Sequence, residues 1–169
     1  DRDVTGVQSV LFPIWDLVIN ALRMRPDRII VGESRGPEAL DMLQAMNTGH
    51  DGSMTTMHAN SPKDCFHRIE TMVLMANVGL PEPVIRQQAA SAIQVVVQMT
   101  RLKDGTRRVS SIAEVTGVDH TGVQVEEIYR FERIGVGEGG VVEGRFIATN
   151  YKPQLLSRLK SHGIEVTAE

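Results

Sequence analysis

Pro26-Asp27-Arg28-Ile29-Ile30-Val31-Gly32-Glu33-Ser34-Arg35 is the stretch whose reading decides the fold. The apolar, β-branched run from Arg28 to Gly32 does not alternate with polar residues. Such a run suits a short strand covered on both faces, as in a parallel sheet. Upstream, Ile14, Leu17, Val18, Ala21 and Leu22 recur at helical spacing, with Pro13 suited to the first helical position. The pattern ends at Pro26, because the residue before a proline is driven out of the α region. Downstream, a helix is predicted from about Pro37 to Asn47, stopped by Thr48-Gly49. A second strand runs over about 53–58. Ser61-Pro62-Lys63-Asp64 then reads as an N-cap, a first-position proline and an acid near the positive helix end. That helix carries Phe66, Ile69, Met72, Val73 and Ala76 and stops by Gly79; another starts near Pro81 or Pro83 and reaches about Ala92.

Beyond residue 95 the character changes. Val95 to Met99 reads as a strand, and Asp104-Gly105 as a hairpin turn, since both residues tolerate positive φ. Val109 to Val115 returns antiparallel, 117–122 turns again, and Val123 to Phe131 forms a third strand. Gly135, Gly137, Gly139, Gly140 and Gly144 mark a flexible loop over 132–150. A last helix spans about Pro153 to Ser161. The expected division is 1–131 as an α/β unit ending in a β-meander (95–131), 132–150 as the loop, and 151–169 as a helical tail.

The chain has 169 residues, 41% hydrophobic and 23% charged, which excludes a disordered tail. Its net charge of −3 argues against a dedicated nucleic-acid binder. Cys65 is the only cysteine, so no internal disulfide or cysteine-built zinc site can form, and it reads as a small core residue. No apolar run reaches the ~20 residues of a membrane span. The opening Asp1-Arg2-Asp3 has no export signal and is expected of a piece of a longer protein.

In open parallel sheets, ligands bind beyond the carboxyl ends of the strands. Glu33 lies at such an end. A carboxylate there can orient or deprotonate an attacking water, or sit in the outer shell of a magnesium ion. Arg35 is placed to meet a phosphate or to hold the carboxylate. An equally simple reading makes Glu33 a cap for the next helix. His50 and His58 flank the second strand, and only His58 falls at the same edge as Glu33, with Thr55, Thr56 and Asn60 as nearby donors. Both histidines can instead satisfy loop backbone groups. A zinc site from His50, His58, His67 and Glu33 lacks the tight ligand spacing such sites show. Arg101, Lys103, Arg107 and Arg108 flank the Asp104-Gly105 turn; they read as a solvated tip, or as a contact for a neighbouring subunit's phosphate or an acidic lipid surface. The phosphate-cradling pattern G-x-x-x-x-G-K-[ST] is absent, so tight ATP binding by this chain alone is not expected.

Leu22 to Arg35, Asp41 to His50 and Thr55 to Ser61 together closely resemble the type II/type IV secretion-system ATPases, and most of all the tight-adherence (Flp-type) pilus assembly ATPases, the CpaF/TadA group. Arg101 to Val109, Glu114 to Gly117 and Pro153 to Gly163 look similar too. The resemblance implies the C-terminal part of a RecA-like P-loop NTPase domain, working as a hexameric homo-oligomer. The family's Walker B element ends in Gly-Glu, matching Gly32-Glu33, so Glu33 would activate water and hold Mg²⁺ through water. Its His box runs from Gly-His to His-Ala, matching Gly49-His50 and His58-Ala59, so His58 would sense the γ-phosphate of ATP. Arg35 matches the arginine after the Walker B glutamate, and Arg35, Thr56 and His50 would contact nucleotide or phosphate. The family's P-loop lies upstream of this strand, so the segment alone is expected to be inactive. The parent would hydrolyse ATP in the bacterial cytoplasm, peripheral to the inner membrane, against an inner-membrane platform protein of a secretion or pilus system. A non-catalytic oligomerisation or docking module, and a conjugation-type DNA-transfer ATPase, remain alternatives.

Overall fold

The computed structural model describes residues 14–165. Pro13 and the residues before it, and the last four of the expected tail, lie outside the described residues. The order of elements is α1 (Ile14–Arg23), β1 (Ile30–Val31), α2 (Glu38–Asn47), β2 (Met54–Thr55), α3 (Pro62–Met75), α4 (Glu82–Ala92), β3 (Val95–Arg101), β4 (Arg107–Asp119), β5 (Gly122–Val136), β6 (Val142–Ala148) and α5 (Leu155–Ser161).

β1 and β2 pair in parallel, Ile30 opposite Met54 and Val31 opposite Thr55. Loop contacts lengthen this short pair. Met54 N–H donates to the Ile29 carbonyl (2.9 Å), and Ser34 N–H to the Thr56 carbonyl (2.9 Å). The Ser53 hydroxyl accepts from Ile29 N–H at 2.9 Å. A parallel pair needs a crossover, and α2 supplies it. α2 is buried on two sides. Met42 and Ala45 pack with Val18, Ile29 and Val31 in one core cluster. Ala39, Leu40 and Leu43 join Phe66, Ile69, Met72, Val73, Ile85, Ala89 and Ala92 from α3 and α4, with Val123 of β5, in the other. Full burial of side chains such as Phe66, Ile69 and Ile85 contributes roughly 1.5–3 kcal/mol each. β1 departs from the expected strand covered on both faces: Val31 is buried, but Ile30 is 69% exposed among the described residues. Leu17, expected on the apolar face of α1, is likewise exposed.

The remaining strands form an antiparallel sheet in the order β3-β4-β5-β6. Ala113 and Val123 turn inward, and α3 and α4 cover that face. Register shifts at Gln98/Met99, Ile112/Ala113, Val115/Gly117 and Arg133/Gly135 bend the long strands. The hairpin tip is tied back to the sheet. One Asp104 oxygen accepts from Thr106 N–H and Oγ1 (2.9 and 2.7 Å), and the other from Val142 N–H (2.6 Å).

The loop expected over 132–150 is corrected. β5 continues to Val136, a 3₁₀ turn spans Glu138–Gly140, and β6 returns over Val142–Ala148. The boundary expected at 131/132 therefore falls inside β5. The glycines have particular duties here. Gly139 and Gly140 hold φ of 77° and 80° in the turn. Gly144 has no room for a Cβ, because the Phe131 ring and the Glu132 carbonyl lie against it. Phe131 also meets Phe146 edge-on at 6.1 Å between centroids. At the far end, buried Glu114 accepts from Tyr151 Oη (2.7 Å) and from the N–H groups of Gln154 (2.9 Å) and Leu155 (2.6 Å), which fastens the start of α5 to β4. No helix among the described residues is long and apolar enough to cross a membrane.

Candidate functional site

Glu33 follows β1 by two residues and His58 follows β2 by three, so the parallel pair delivers both to one edge. Thr56 helps set the strand ends. Its hydroxyl donates to the Gly32 carbonyl at 2.6 Å, which fixes the peptide just before Glu33. Behind it, the buried Ser34 hydroxyl shares a 2.8 Å hydrogen bond with Thr55 Oγ1. After β2, Met57 and Ala59 pack against the larger core cluster, and His58 between them faces outward. The α3 N-terminus comes next, with the Ser61 hydroxyl accepting from Asp64 N–H at 3.1 Å.

One Glu33 oxygen, Oε2, accepts from Arg35 Nη2 at 2.6 Å. The other, Oε1, stands 3.0 Å from His58 Nε2. No hydrogen bond closes there: the N–H is not aligned, and Oε1 is buried without a hydrogen-bond partner. The Glu33 side chain is 26% exposed, against 71% for Arg35 and 81% for His58, so a half-sheltered acid sits between two solvent-facing bases. Its carboxyl is held below the ordinary value of 4.5. The Arg35 hydrogen bond is the largest cause; partial burial opposes it, and the charges of Arg35, His58 and Arg68 add to the lowering. His58, Ala59, Asn60, Asp64 and Arg68 line an open cleft beside the pair.

Glu33 does not cap α2, which has no side-chain cap; Glu38, in its first turn, instead fastens the loop before the helix, its Oε1 accepting from the N–H groups of Arg35 (2.6 Å) and Gly36 (3.0 Å). The sequence signal for it was an acid directly after Pro37 at a helix start. Arg68 was missed as well, since nothing separates it in sequence from any exposed helix cation. His50 is not brought to this edge. It precedes β2, its carbonyl accepts from Ser53 N–H (3.2 Å) and Ser53 Oγ (2.8 Å), and it lines none of the cleft. The hydroxyl proton of Thr56 is committed to Gly32. Among the described residues no group of three or more His, Cys, Asp or Glu could hold a metal, so the four-residue zinc set does not assemble. Of the hairpin cations, Arg101, Lys103 and Arg107 are exposed, in keeping with a solvated tip, with Arg101 Nε donating to the Gly105 carbonyl at 3.4 Å, while Arg108 lies over the Phe131 ring at 5.5 Å.

The sequence profile of the type II/IV secretion system proteins matches residues 5–146. The chain belongs to that family. A putative conjugal transfer protein of Mycobacterium tuberculosis is 43% identical over 111 residues, covering 66% of this chain and 30% of the relative. The conjugal transfer protein TrbB of Rhizobium radiobacter is 36% identical over 116 residues, 69% of this chain and 34% of the relative. Among solved structures, the VirB11 ATPase from the Brucella suis type IV secretion system, in complex with sulphate, superposes with a TM-score of 0.57 at 36% identity, covering 61% of this chain and 32% of that one. The chain thus spans about a third of the length of these members of the type II/IV secretion group. The likeness is consistent with the C-terminal part of a RecA-like domain.

Proposed function

We propose that this chain is the segment of a secretion-system or conjugation ATPase that carries the water-activating acid and the γ-phosphate sensor. The observation that supports this most is the Glu33–His58 pair at the carboxyl ends of two parallel strands, with Oε1 sheltered and accepting no hydrogen bond from the protein. Gly32-Glu33 is the end of the Walker B element, and the His box runs from Gly49-His50 to His58-Ala59. Glu33 orients the attacking water, and Arg35 keeps it ionised and aimed. His58 reports the terminal phosphate to the loop behind it, and Arg68 adds positive charge to the cleft. His50 and Thr56 act on the strand ends rather than on phosphate. A single carboxylate suits magnesium held through water, since that ion keeps several of its waters beside nucleotide phosphates. The ion would supply charge neutralisation there.

The whole protein binds ATP through a P-loop carried elsewhere in its length and works as a homo-oligomer, a hexamer, on the cytoplasmic side of a bacterial inner membrane against a platform protein. The names of the relatives favour a conjugal or type IV secretion apparatus; the tight-adherence pilus reading rests on the resemblance alone. The test is phosphate release from ATP by the full-length protein with magnesium, compared with Glu33→Gln. Hydrolysis lost in the variant supports the assignment. No hydrolysis by the unaltered protein, or equal rates in both, overturns it in favour of a docking module.

A further inference from the structure

The Gln98 amide Nε2 donates to the Ala59 carbonyl at 3.0 Å. Ala59 directly follows His58, and Gln98 lies on β3, in the other sheet. Among the described residues this is the hydrogen bond that crosses from the four-stranded sheet to the loop after β2. The contact is built rather than incidental. β3 carries a register shift between Gln98 and Met99, and bulges of this kind re-aim a side chain. The Gln98 carbonyl is held by Ser110 Oγ at 3.2 Å. The Gln98 amide nitrogen also lies 3.4 Å from the Met99 carbonyl, so two acceptors fix which way the amide faces.

We propose that Gln98 is a positioning residue for His58, holding the imidazole against Glu33 by fixing the next peptide of the loop. The inference deepens the proposed function and rests on it for the role of His58. Met57 and Ala59 pack inward and leave His58 outward, so the imidazole has no packing of its own on its exposed side. Its distance to Glu33 is therefore set by the backbone beneath it. Before His58 that backbone is held by the Thr56 bonds to Gly32 and Ser34; after it, the first is the Ser61 cap on α3 and the second the Gln98 bond to Ala59. A displacement of β3 by one ångström or so breaks the second, because hydrogen bonds weaken steeply beyond their usual length. Gln98 in this way ties the cleft to the placement of the meander.

The test is the rate at which diethyl pyrocarbonate modifies His58 in the full-length protein, read by peptide mass mapping with His162 as internal reference. Gln98→Leu removes the donor and keeps the bulk. The His58 ring is exposed but its Nε2 stands 3.0 Å from Glu33 Oε1, so release of that contact is expected to raise His58 modification about fivefold, the population change that follows from losing one ordinary hydrogen bond, with His162 unchanged. Gln98→Met carries the same expectation and serves should the leucine variant fail to fold. Gln94→Leu is the control, since the Gln94 amide bonds only to the Ser91 and Ala92 carbonyls at the end of α4. In the ATPase assay, Gln98→Leu is expected to lower kcat by less than the modification rate rises, since the held arrangement stays the major one, with KM for ATP unchanged. Unaltered His58 modification in both Gln98 variants overturns the proposal. So does a rise of the same size in Gln94→Leu, which reports general loosening. The modification rate needs no turnover, so absent ATPase activity counts against the proposed function and leaves the role of Gln98 to the chemical probe.

Discussion

His58 Nε2 lies 3.0 Å from Glu33 Oε1, while the second oxygen of the same carboxylate is bonded to Arg35 at 2.6 Å. Each carboxylate oxygen therefore has its own neighbour. One accepts from a guanidinium, and the other stands beside an imidazole with no hydrogen bond of its own.

Glu33→Gln retains the shape of the side chain and removes its basicity. In the full-length protein kcat for ATP hydrolysis is expected to fall about 10²–10⁴-fold, the usual contribution of a general base. Single-turnover and steady-state phosphate release are the measurements, and near-normal turnover refutes the role.

The Glu33 carboxyl titrates below 4.5, chiefly because of its Arg35 hydrogen bond. A lowered carboxyl value gives an interaction fully present above the unfolded value and lost as pH falls through the folded one. Carboxyl ¹³C titration is expected to place the midpoint under 4.5 in the native protein. Arg35→Leu is expected to move it upward, since the remaining charges of His58 and Arg68 are lesser causes. A native midpoint at or above the ordinary value contradicts the geometry.

Burial pushes the Cys65 thiol up to about 11 from 9.0. Its thiolate fraction at pH 8 is then about a hundredfold below that of the unfolded chain. Iodoacetamide labelling is expected to be slow by at least that ratio until denaturant is added. Fast native labelling places Cys65 outside the α2–α3–α4 core.

Gly144→Ala sets a methyl group against the Phe131 ring and the Glu132 carbonyl. Overpacking of this kind costs about 1–3 kcal/mol. Urea unfolding of the full-length protein is the measurement, with the loss expected to fall on the β5–β6 hairpin. A neutral effect means that the segment is loose, as a glycine-rich loop would be.

The parts of the fold legible in the sequence were those set by local pattern. Ile29 to Val31 announced a strand, Ser61-Pro62 a helix start, and Phe66, Ile69, Met72 and Val73 one buried helix face, because each signal is contained within a turn or two of chain. What escaped depended on distant partners. β6 was hidden because glycines read as loop residues, whereas Gly144 is a glycine to admit the Phe131 ring from the neighbouring strand. The open face at Ile30 was hidden because an apolar run says nothing about which of its neighbours are at hand. Glu33 and His58 stood out by their strand-end positions. Arg68 and Gln98 did not, since their meaning comes only from what α3 and β3 lie against.

α5 is seven residues long, shorter than the ~12–15 that an isolated helix needs in water. Its coil is therefore borrowed from Glu114, which gathers Tyr151 Oη and two amides from the run into that helix onto one carboxylate. The tail thus has one buried anchor at its root and one exposed ion pair farther along, Arg158 with Asp51 at 4.0 Å. Losing the Glu114 carboxylate would release the root first and leave the tail tethered by a surface contact alone.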